Sequence, residues 1–264
     1  MTSPRKLTPQ EEAKLAQARE NFKNRKKITD SLTSISKRIG VYSGKGGVGK
    51  TTITTNLAVT LSEKNQSVAI FDCDIDCPNV TRLLRISEGP IQDKDKLIPP
   101  SRFGVKVMSM AFFQKDEDEA IIWRGPMIHN AINQFTQSTL WGDLDYMLVD
   151  LPPGTSDAPL TVMQTLNLDG FIIVTTPQEL AVLDAKRSIN MIKKMNLNVY
   201  GIVENLSGGV FGSGGGKTLA EEMNLPFLGS VRIRKEYTNA NKPVTLENQE
   251  IQKEYSNIIE NLKS

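Results

Sequence analysis

The stretch Gly44-Lys45-Gly46-Gly47-Val48-Gly49-Lys50-Thr51 decides the fold of this chain. A strand-like run, residues 38–43, precedes it, and a helix-like run, residues 50–63, follows it. Glycines at this spacing between a strand and a helix predict a phosphate-binding loop. The glycines let several backbone N–H groups turn towards phosphate oxygens, and the helix N-terminus adds its dipole. The sequence therefore predicts a phosphate-bearing ligand.

Carboxylates follow two other predicted strands, and we expect them to lie beside this loop. Asp150 comes after four apolar residues, the Walker B pattern, and Asp72 and Asp74 lie at the carboxyl end of the run 67–73. Lys50 can reach the outer phosphates, while Thr51 and Asp150 can hold Mg²⁺. The loop residues expected to bind the ligand are Gly44, Lys45, Gly46, Gly47, Val48, Gly49, Lys50, Thr51 and Thr52.

Apolar strand-like runs alternate with helix-like stretches along the chain. The predicted strands are residues 38–43, 67–73, 105–110, 145–151, 170–176, 199–205 and 227–232. The predicted helices are residues 50–63, 79–84, 125–139, 157–166, 179–195 and 214–223, with a docked amphipathic helix within 245–263. Residues 85–104 are polar and contain Gly-Pro and Pro-Pro pairs, so they are predicted to be a surface loop. This order predicts an α/β fold with a doubly wound, mostly parallel sheet, helices on both faces and the ligand at the carboxyl ends of the strands.

Composition excludes several classes of protein. No apolar run approaches the roughly 18 residues of a membrane-spanning helix, and the N-terminus has no apolar signal-peptide core. The two cysteines indicate a reducing compartment rather than a disulfide framework, so a cytoplasmic location is expected. The single histidine, His129, lies in a predicted helix, and histidine-based catalysis is not expected.

The net charge of +2 conceals an asymmetry along the chain. Residues 1–38 contain ten Lys and Arg against four Asp and Glu, whereas the remainder is slightly acidic. We therefore divide the chain into a basic, mostly helical N-terminal arm, residues 1–36, and a P-loop domain, residues 37–264. The arm could contact an acidic partner or nucleic acid, but a solvated helix leading into the domain is the favoured interpretation.

Lys45 adds a second lysine to the loop, one residue after its first glycine. With this lysine the loop resembles that of the deviant P-loop ATPases, which read K-G-G-x-G-K-S/T and include the Mrp/ApbC scaffolds, MinD, ParA and the nitrogenase iron protein. The resemblance implies that residues 37–264 form a P-loop ATPase domain that binds ATP and Mg²⁺ and acts as a homodimer. It also implies that Lys45 touches the nucleotide of the other subunit, where a cation stabilises the transferring phosphoryl group.

The same resemblance assigns roles to individual residues. The catalytic residues that it implies are Lys45, Lys50, Asp74 and Asp150. Asp74 would orient the attacking water or join the Mg²⁺ shell with Thr51 and Asp150. Asn205, which ends the predicted strand 199–205, would hydrogen-bond adenine, because an amide offers both a donor and an acceptor. The N-K-x-D arrangement of guanine readers does not occur in the sequence, so ATP is expected rather than GTP.

Longer matches resemble the Mrp/ApbC branch in particular. They are residues 141–157, 174–178, 204–208 and 211–216. The branch implies an ATP-dependent homodimer that carries iron-sulfur clusters or helps to assemble them on apo target proteins. Members that bind a cluster usually have a C-x-x-C pair between the N-x-S-G and F-G-x-G-G-G segments, but here only Gly209 and Val210 lie between them. Thiolates are the usual cluster ligands, so the resemblance supports the ATPase better than the cluster site.

The sequence leaves alternatives open both for the role of the two cysteines and for the function of the protein. Cys73 and Cys77 could form a relocated iron-sulfur site across a dimer, but the favoured interpretation is that Cys73 packs as a small hydrophobe and Cys77 starts a turn. One functional alternative is a ParA/MinD-like positioning ATPase that binds nucleic acid or another surface without a cluster. Another is an adaptor that binds nucleotide without hydrolysing it. No membrane partner is expected, because a membrane-surface helix would be basic and the C-terminal stretch is acidic.

Overall fold

The computed structural model describes residues 8–113, 125–238 and 241–263. Its helices are α1 (Pro9–Leu32), α2 (Lys50–Glu63), α3 (Val80–Leu83), α4 (Gly125–Ser138), α5 (Asp157–Thr165), α6 (Glu179–Lys194), α7 (Gly215–Met223) and α8 (Gln249–Lys263). Its strands are β1 (Ile35–Tyr42), β2 (Val68–Asp72), β3 (Ile91–Asp93), β4 (Lys96–Ile98), β5 (Ser101–Arg102), β6 (Val105–Ser109), β7 (Leu144–Asp150), β8 (Gly170–Thr175), β9 (Val199–Ser207) and β10 (Phe227–Arg232). The predicted strands and helices are all present, with ends close to the predicted ones.

Eight strands form one sheet in the order β10-β9-β8-β1-β7-β2-β6-β5. Neighbouring strands run parallel throughout, except that β5 is antiparallel to β6 at the edge. β2 and β8 are buried along their whole length because both are nearly continuous apolar runs covered on two faces. The predicted α/β fold with a doubly wound, mostly parallel sheet is confirmed.

Alternate side chains of each strand enter two separate cores. In β8, Phe171 and Ile173 pack in the core that holds α4, α5 and α7. Ile172 and Val174 pack in the core under α2 and α8. Successive side chains of a strand point to opposite faces of the sheet, so one strand fixes the position of both helical layers.

The strand order reverses at β1, the strand that leads into the phosphate loop. β1 pairs with β7 on one side and with β8 on the other. On the β7 side of β1, the sheet continues with β2 and β6. On the β8 side, it continues with β9 and β10. Ligands of open parallel sheets bind at the carboxyl ends of the strands near such a reversal. The fold therefore places residues 44–51 where a ligand is expected.

The N-terminal helix α1 ends inside the domain core. It begins with a capping box in which Thr8 and Glu11 each accept a hydrogen bond from the other's backbone N–H. Ile28 and Leu32, near its end, are buried. β1 follows at once, beginning at Ile35. The division of the chain into an arm and a domain stays a prediction.

Residues 85–104, predicted to be a surface loop, contain strands of their own. β3 and β4 form an antiparallel hairpin with Ile91 opposite Ile98, and β5 joins the main sheet. Lys94, in the hairpin turn, has a φ of 55°, the left-handed conformation that tight hairpin turns use. The loop prediction is wrong because the Gly-Pro and Pro-Pro pairs lie at the two ends of the hairpin and do not interrupt it.

The C-terminal stretch forms α8, which docks against the domain as predicted. Ile251, Tyr255, Ile258 and Ile259 form its buried face. The helix packs on β10 and on α2. None of the described helices combines the length and the apolar character that crossing a lipid bilayer requires.

Candidate nucleotide site

The phosphate loop, residues 44–51, has a shape that depends on its glycines. Gly47 and Gly49 have φ values of 80° and 81°, in the left-handed region that side chains disfavour. A Cβ at Gly44 would lie 2.2 Å from the Asp184 carbonyl oxygen, so this glycine lets α6 approach the loop. Gly49 caps α2, and its carbonyl accepts a hydrogen bond from the Ile53 N–H at 3.0 Å. The loop therefore leads directly into a helix N-terminus, as the motif predicts.

Lys50 is buried between two carboxylates at the ends of separate strands. Its Nζ lies 2.9 Å from Asp150 Oδ1 and 3.5 Å from Asp74 Oδ2. The side chain of Lys50 is 5% exposed and that of Asp150 is fully buried. Burial would lower the pKa of Lys50, but the charges of Asp150 and Asp74 together outweigh it and raise that pKa. Lys50 is therefore an ammonium group held inside the protein by two anions.

Two hydroxyl groups of α2 also hold the Asp150 carboxylate. Thr51 Oγ1 donates to Oδ2 at 2.7 Å, and Thr54 Oγ1 donates to Oδ1 at 2.8 Å. The structure thus brings Lys50, Thr51 and Asp150 together, as the motifs predict. Thr54 is absent from the predicted set. The signal for it is its position one helical turn after Lys50, on the face of α2 that meets β7.

Asp72 organises the turn that follows β2. Its carboxylate accepts hydrogen bonds from Ser109 Oγ at 2.9 Å and from the backbone N–H groups of Asp74 and Val80, each at 3.2 Å. Burial and the charge of Asp150 raise the pKa of Asp72 to about 8. Burial also raises the pKa of Asp74, which lies on the wall of the site. Three carboxyl groups, those of Asp72, Asp74 and Asp150, therefore lie near the buried Lys50.

The oxygen atoms beside Lys50 suit a small, hard cation. They belong to the Thr51 hydroxyl and the carboxylates of Asp74 and Asp150. Mg²⁺ takes oxygen ligands and usually combines one or two carboxylates with waters and substrate phosphates. Within the described ranges, no group of three His, Cys, Asp or Glu side chains could hold a metal ion by itself. The residues therefore fit a Mg²⁺ ion that binds together with phosphate.

A cleft of about 780 Å³ leads from the phosphate loop to the segment that follows β10. Lys50 and Asp74 line one end, and Tyr237 and Val244 line the other. The buried hydroxyl group of Thr55, which lines the cleft, has no hydrogen-bond partner in the part of the chain that the structure describes, whereas the hydroxyl of Tyr237 interacts with that of Tyr255. Buried polar groups are normally paired, so the Thr55 hydroxyl suits a polar ligand atom in the cleft.

Asn205 faces the phosphate loop and is not among the residues that line the cleft. Its Nδ2 donates to the Val48 carbonyl at 2.8 Å, and only 4% of the residue is exposed. The amide that was expected to bind adenine therefore has one backbone partner in the phosphate loop, and its contact with adenine stays a prediction.

The two cysteines do not share a surface. Cys73 is buried in the core that holds α4 and α5, whereas Cys77 is exposed and lines the cleft. Burial, followed by the charge of Asp72, raises the pKa of Cys73 well above its ordinary value. A buried, protonated thiol is a poor metal ligand, so this geometry does not favour a relocated cluster held by both cysteines. It agrees with the interpretation of Cys73 as a small hydrophobe.

A second glycine-rich segment, residues 208–214, lies between β9 and α7 and is called here the glycine loop. Glu204, near the end of β9, is 1% exposed, and its carboxylate accepts hydrogen bonds from residues before and after the glycine loop. Glu204 Oε1 accepts from Ser207 Oγ at 2.8 Å and from the Gly214 N–H at 3.0 Å, and Oε2 accepts from the Gly216 N–H at 2.7 Å. The carboxylate thereby caps the N-terminus of α7. Val210, within the loop, is 94% exposed.

Comparison with known proteins identifies the family of this chain. Residues 34–263 match the family described as ParA, NUBPL iron-transfer P-loop NTPase. The iron-sulfur cluster carrier protein of Methanocaldococcus jannaschii is 38% identical over 252 residues, which cover 89% of this chain and 87% of that protein.

Solved structures show the same architecture. A nucleotide-binding protein from Archaeoglobus fulgidus, solved in complex with ADP, is 34% identical with a TM-score of 0.72 over 88% of this chain and 93% of that one. The cell division ATPase MinD of Pyrococcus furiosus, at 21% identity, shares the fold with a TM-score of 0.68 over 86% of this chain and 98% of its own. The phosphate loop, its buried ionic partners and the match over residues 34–263 show that this chain belongs to the NUBPL family of iron-transfer P-loop NTPases.

Proposed function

We propose that this chain binds ATP together with Mg²⁺ and hydrolyses it. The observation that carries the proposal is the buried set of Lys50, Thr51 and Asp150 beside the phosphate loop. Lys50 brings a fixed positive charge to the outer phosphates. The Thr51 hydroxyl and the Asp150 carboxylate would hold Mg²⁺, which supplies charge neutralisation to the phosphates when it is bound.

Asp74 is the residue that we assign to the attacking water. It is 6% exposed, lines the cleft and lies 3.5 Å from Lys50 Nζ. Burial raises the pKa of Asp74, although the charge of Lys50 opposes that shift. A carboxylate with a raised pKa accepts a proton more readily than a surface aspartate does, which suits a group that orients water and takes its proton.

We place the nucleobase at the end of the cleft that Tyr237, Pro243 and Val244 line. The hydroxyl of Thr55, which lines the same cleft and is unpaired among the described residues, supports this placement, because it can bond to a polar atom of the base or the ribose. Asn205 donates one amide N–H to the phosphate loop and keeps a second N–H and its Oδ1, so its expected contact with adenine stays a prediction.

We propose that hydrolysis requires two copies of the chain. Lys45 is half-buried and lines the cleft, and no ion pair joins it to any residue that the structure describes. Every other requirement of the site is met within one protomer by Lys50, Thr51, Asp74 and Asp150. A second protomer that faced this cleft would bring its own Lys45 to the phosphates and add a cation to the charge of Lys50.

We propose further that the protein carries or transfers an iron-sulfur cluster, the cargo for which its relatives are named. Cys77 is exposed and Cys73 is buried, so a homodimer would present two accessible thiols. Iron-sulfur clusters are usually held by four thiolates. We therefore expect transient binding, with the remaining ligands supplied by an apo iron-sulfur client protein. The cytoplasmic location expected from the cysteine content stays a prediction.

Anaerobic reconstitution with iron and sulfide, followed by metal and sulfide analysis with and without ATP, tests the carrier role. We expect Cys77→Ser to lose bound iron and Cys73→Ser to retain it, because only Cys77 is exposed. Equal iron in the wild type and Cys77→Ser would contradict the role of Cys77. No iron in the wild type and no transfer to an apo client would remove the carrier role and leave the ATPase proposal standing.

A nucleic-acid-binding positioning ATPase is the second candidate, and one observation favours it. Along α1, Lys14, Lys23, Lys26 and Lys27 are exposed. Binding to non-specific DNA that requires ATP and weakens with added salt would support this function. Negligible binding with and without ATP would reject it.

Phosphate release from ATP tests the enzymatic proposal. We expect turnover by the wild type and none by Lys50→Ala. Tight ATP binding without any turnover by the wild type would instead support an adaptor that uses nucleotide only as a ligand.

A further inference from the structure

The segment that follows β10, residues 233–238, carries Tyr237 to the end of the cleft that lies away from the phosphate loop. The segment contains only a short 3₁₀ turn, Lys235–Tyr237. A long hydrogen bond, from the Tyr237 N–H to the Arg234 carbonyl at 3.4 Å, closes that turn. Short 3₁₀ turns have poor hydrogen-bond geometry and hold their shape weakly. The position of Tyr237 therefore depends on contacts between this segment and the rest of the domain.

Arg234, at the start of the turn, is joined to Glu254 of α8 by two hydrogen bonds. Its Nη1 donates to Oε2 and its Nη2 donates to Oε1, each at 2.8 Å. Glu254 Oε2 also accepts from the Arg232 N–H, at the end of β10, at 3.3 Å. The side chains of Arg234 and Glu254 are 14% and 17% exposed, so salt screens this pair less than an exposed one. A two-point pair of this kind fixes the direction of the arginine as well as its distance.

α8 makes two further contacts with the same segment. The Asn248 side chain, just before the helix, donates from Nδ2 to Glu236 Oε1 at 3.2 Å. The hydroxyl of Tyr255, on the buried face of α8, interacts with that of Tyr237. Because α8 is itself docked on β10 and α2, it gives residues 233–238 a fixed support.

We propose that Arg234 and Glu254 are positioning residues that fix the nucleobase end of the cleft from α8. The inference rests on the proposed function in taking Tyr237 and its neighbours to face the nucleobase. The phosphate end of the cleft is held separately, by the pairing of Lys50 with Asp150. Loss of the Arg234–Glu254 pair should therefore let the base end move and leave the phosphate end in place.

The proposal predicts a difference between ADP and pyrophosphate, which carries the phosphates of ADP without its base. Glu254→Ala should weaken ADP about tenfold and leave the affinity for pyrophosphate unchanged, because only the base end loses its support. A variant that was merely destabilised would instead lose both ligands equally. Glu254→Gln keeps the size of the side chain and one acceptor oxygen, so it should weaken ADP to a smaller degree.

A second variant of the same pair and a control complete the set. Arg234→Ala should weaken ADP as Glu254→Ala does. The double variant Arg234→Ala/Glu254→Ala should lose no more than either single one, because the two residues act as one unit. Glu260→Ala, which removes an exposed carboxylate of the same helix, is the matched control and should bind both ligands as wild type does.

The experiment is calorimetric titration of the full chain and these variants with ADP and with pyrophosphate, together with hydrogen exchange of a peptide covering residues 233–238 without ligand. Loss confined to ADP, with faster exchange in Glu254→Ala than in Glu260→Ala, would support the proposal. Unchanged ADP affinity, an equal loss of both ligands, or unchanged exchange in Glu254→Ala would overturn it and leave the nucleotide proposal standing. If wild type binds neither ligand, the nucleotide proposal fails and this one fails with it.

Discussion

Glu204 and Asn205 are consecutive in β9, yet their side chains hold two different loops. Glu204 Oε2 accepts from the Gly216 N–H at 2.7 Å, at the start of α7, and Asn205 Nδ2 donates to the Val48 carbonyl at 2.8 Å, in the phosphate loop. Adjacent strand residues point to opposite faces, and α7 and Val48 belong to different cores. The end of β9 therefore links the phosphate loop to the glycine loop across the sheet.

Replacing Glu204 should loosen the glycine loop and lower stability. Glu204→Ala would leave the buried N–H groups of Gly214 and Gly216 without their charged acceptor. Hydrogen bonds to charged groups are stronger than neutral ones, so we expect a loss of about 3 kcal/mol in the free energy of unfolding. Urea unfolding measures it. Glu221→Ala, at an exposed position of α7, is the control. If both variants are equally stable, Glu204 does not hold the loop.

Replacing Lys50 should remove nucleotide binding and also destabilise the protein. Lys50→Ala would remove the cation that pairs with the buried carboxylates of Asp150 and Asp74. Removing one partner of a buried ion pair typically costs about 3–5 kcal/mol. The double variant Lys50→Ala/Asp150→Asn should recover part of this stability but none of the nucleotide binding. Thermal unfolding measures the stability, and ADP titration measures the binding. Lys253→Ala, at an exposed position of α8, should change neither. A Lys50→Ala protein as stable as this control would contradict the description of the site.

Asp72 should make the stability of the protein depend on pH. Its folded pKa is raised from 3.8 to about 8, first by burial and then by the charge of Asp150. A group with a raised pKa binds a proton more tightly in the folded state, so its stabilising contribution is present at low pH. That contribution is lost as the pH rises through the folded pKa. The wild type should therefore lose stability relative to Asp72→Asn as the pH increases from about 4 to about 8.

Urea unfolding of both proteins across that pH range measures the effect of Asp72. The comparison cancels the carboxyl groups that the two proteins share. A difference between wild type and Asp72→Asn that stays constant, or that changes in favour of the wild type as the pH rises, would show that Asp72 is ionised throughout.

The sequence predicts the fold and the chemical centre of the site well, for physical reasons. Lys50 and Asp150 lie in local motifs whose spacing depends on the strand, loop and helix that carry them. A doubly wound sheet brings the ends of those strands together, so their contact at 2.9 Å follows from topology. The hairpin of β3 and β4 was missed because its prolines and glycine resemble loop signals.

Contacts that depend on the direction of single backbone groups could not be predicted in the same way. Asn205 was expected to contact adenine because an amide matches its edge, and its bond to the Val48 carbonyl was not predicted. Glu204 was missed because its partners are N–H groups in a later loop. Thr54 was missed because its hydroxyl reaches Asp150 only in the folded helix. None of these partners is fixed by sequence spacing alone.

The most direct test of the account is the rate of ATP hydrolysis by wild type and by Lys45→Ala at equal nucleotide occupancy. Lys45 lines the cleft of its own protomer without an ion pair to any described residue, and we propose that it acts on the nucleotide of a second one. The account predicts unchanged ADP affinity and turnover lower by a factor on the order of 10³ in Lys45→Ala. Equal turnover by the two proteins would contradict it.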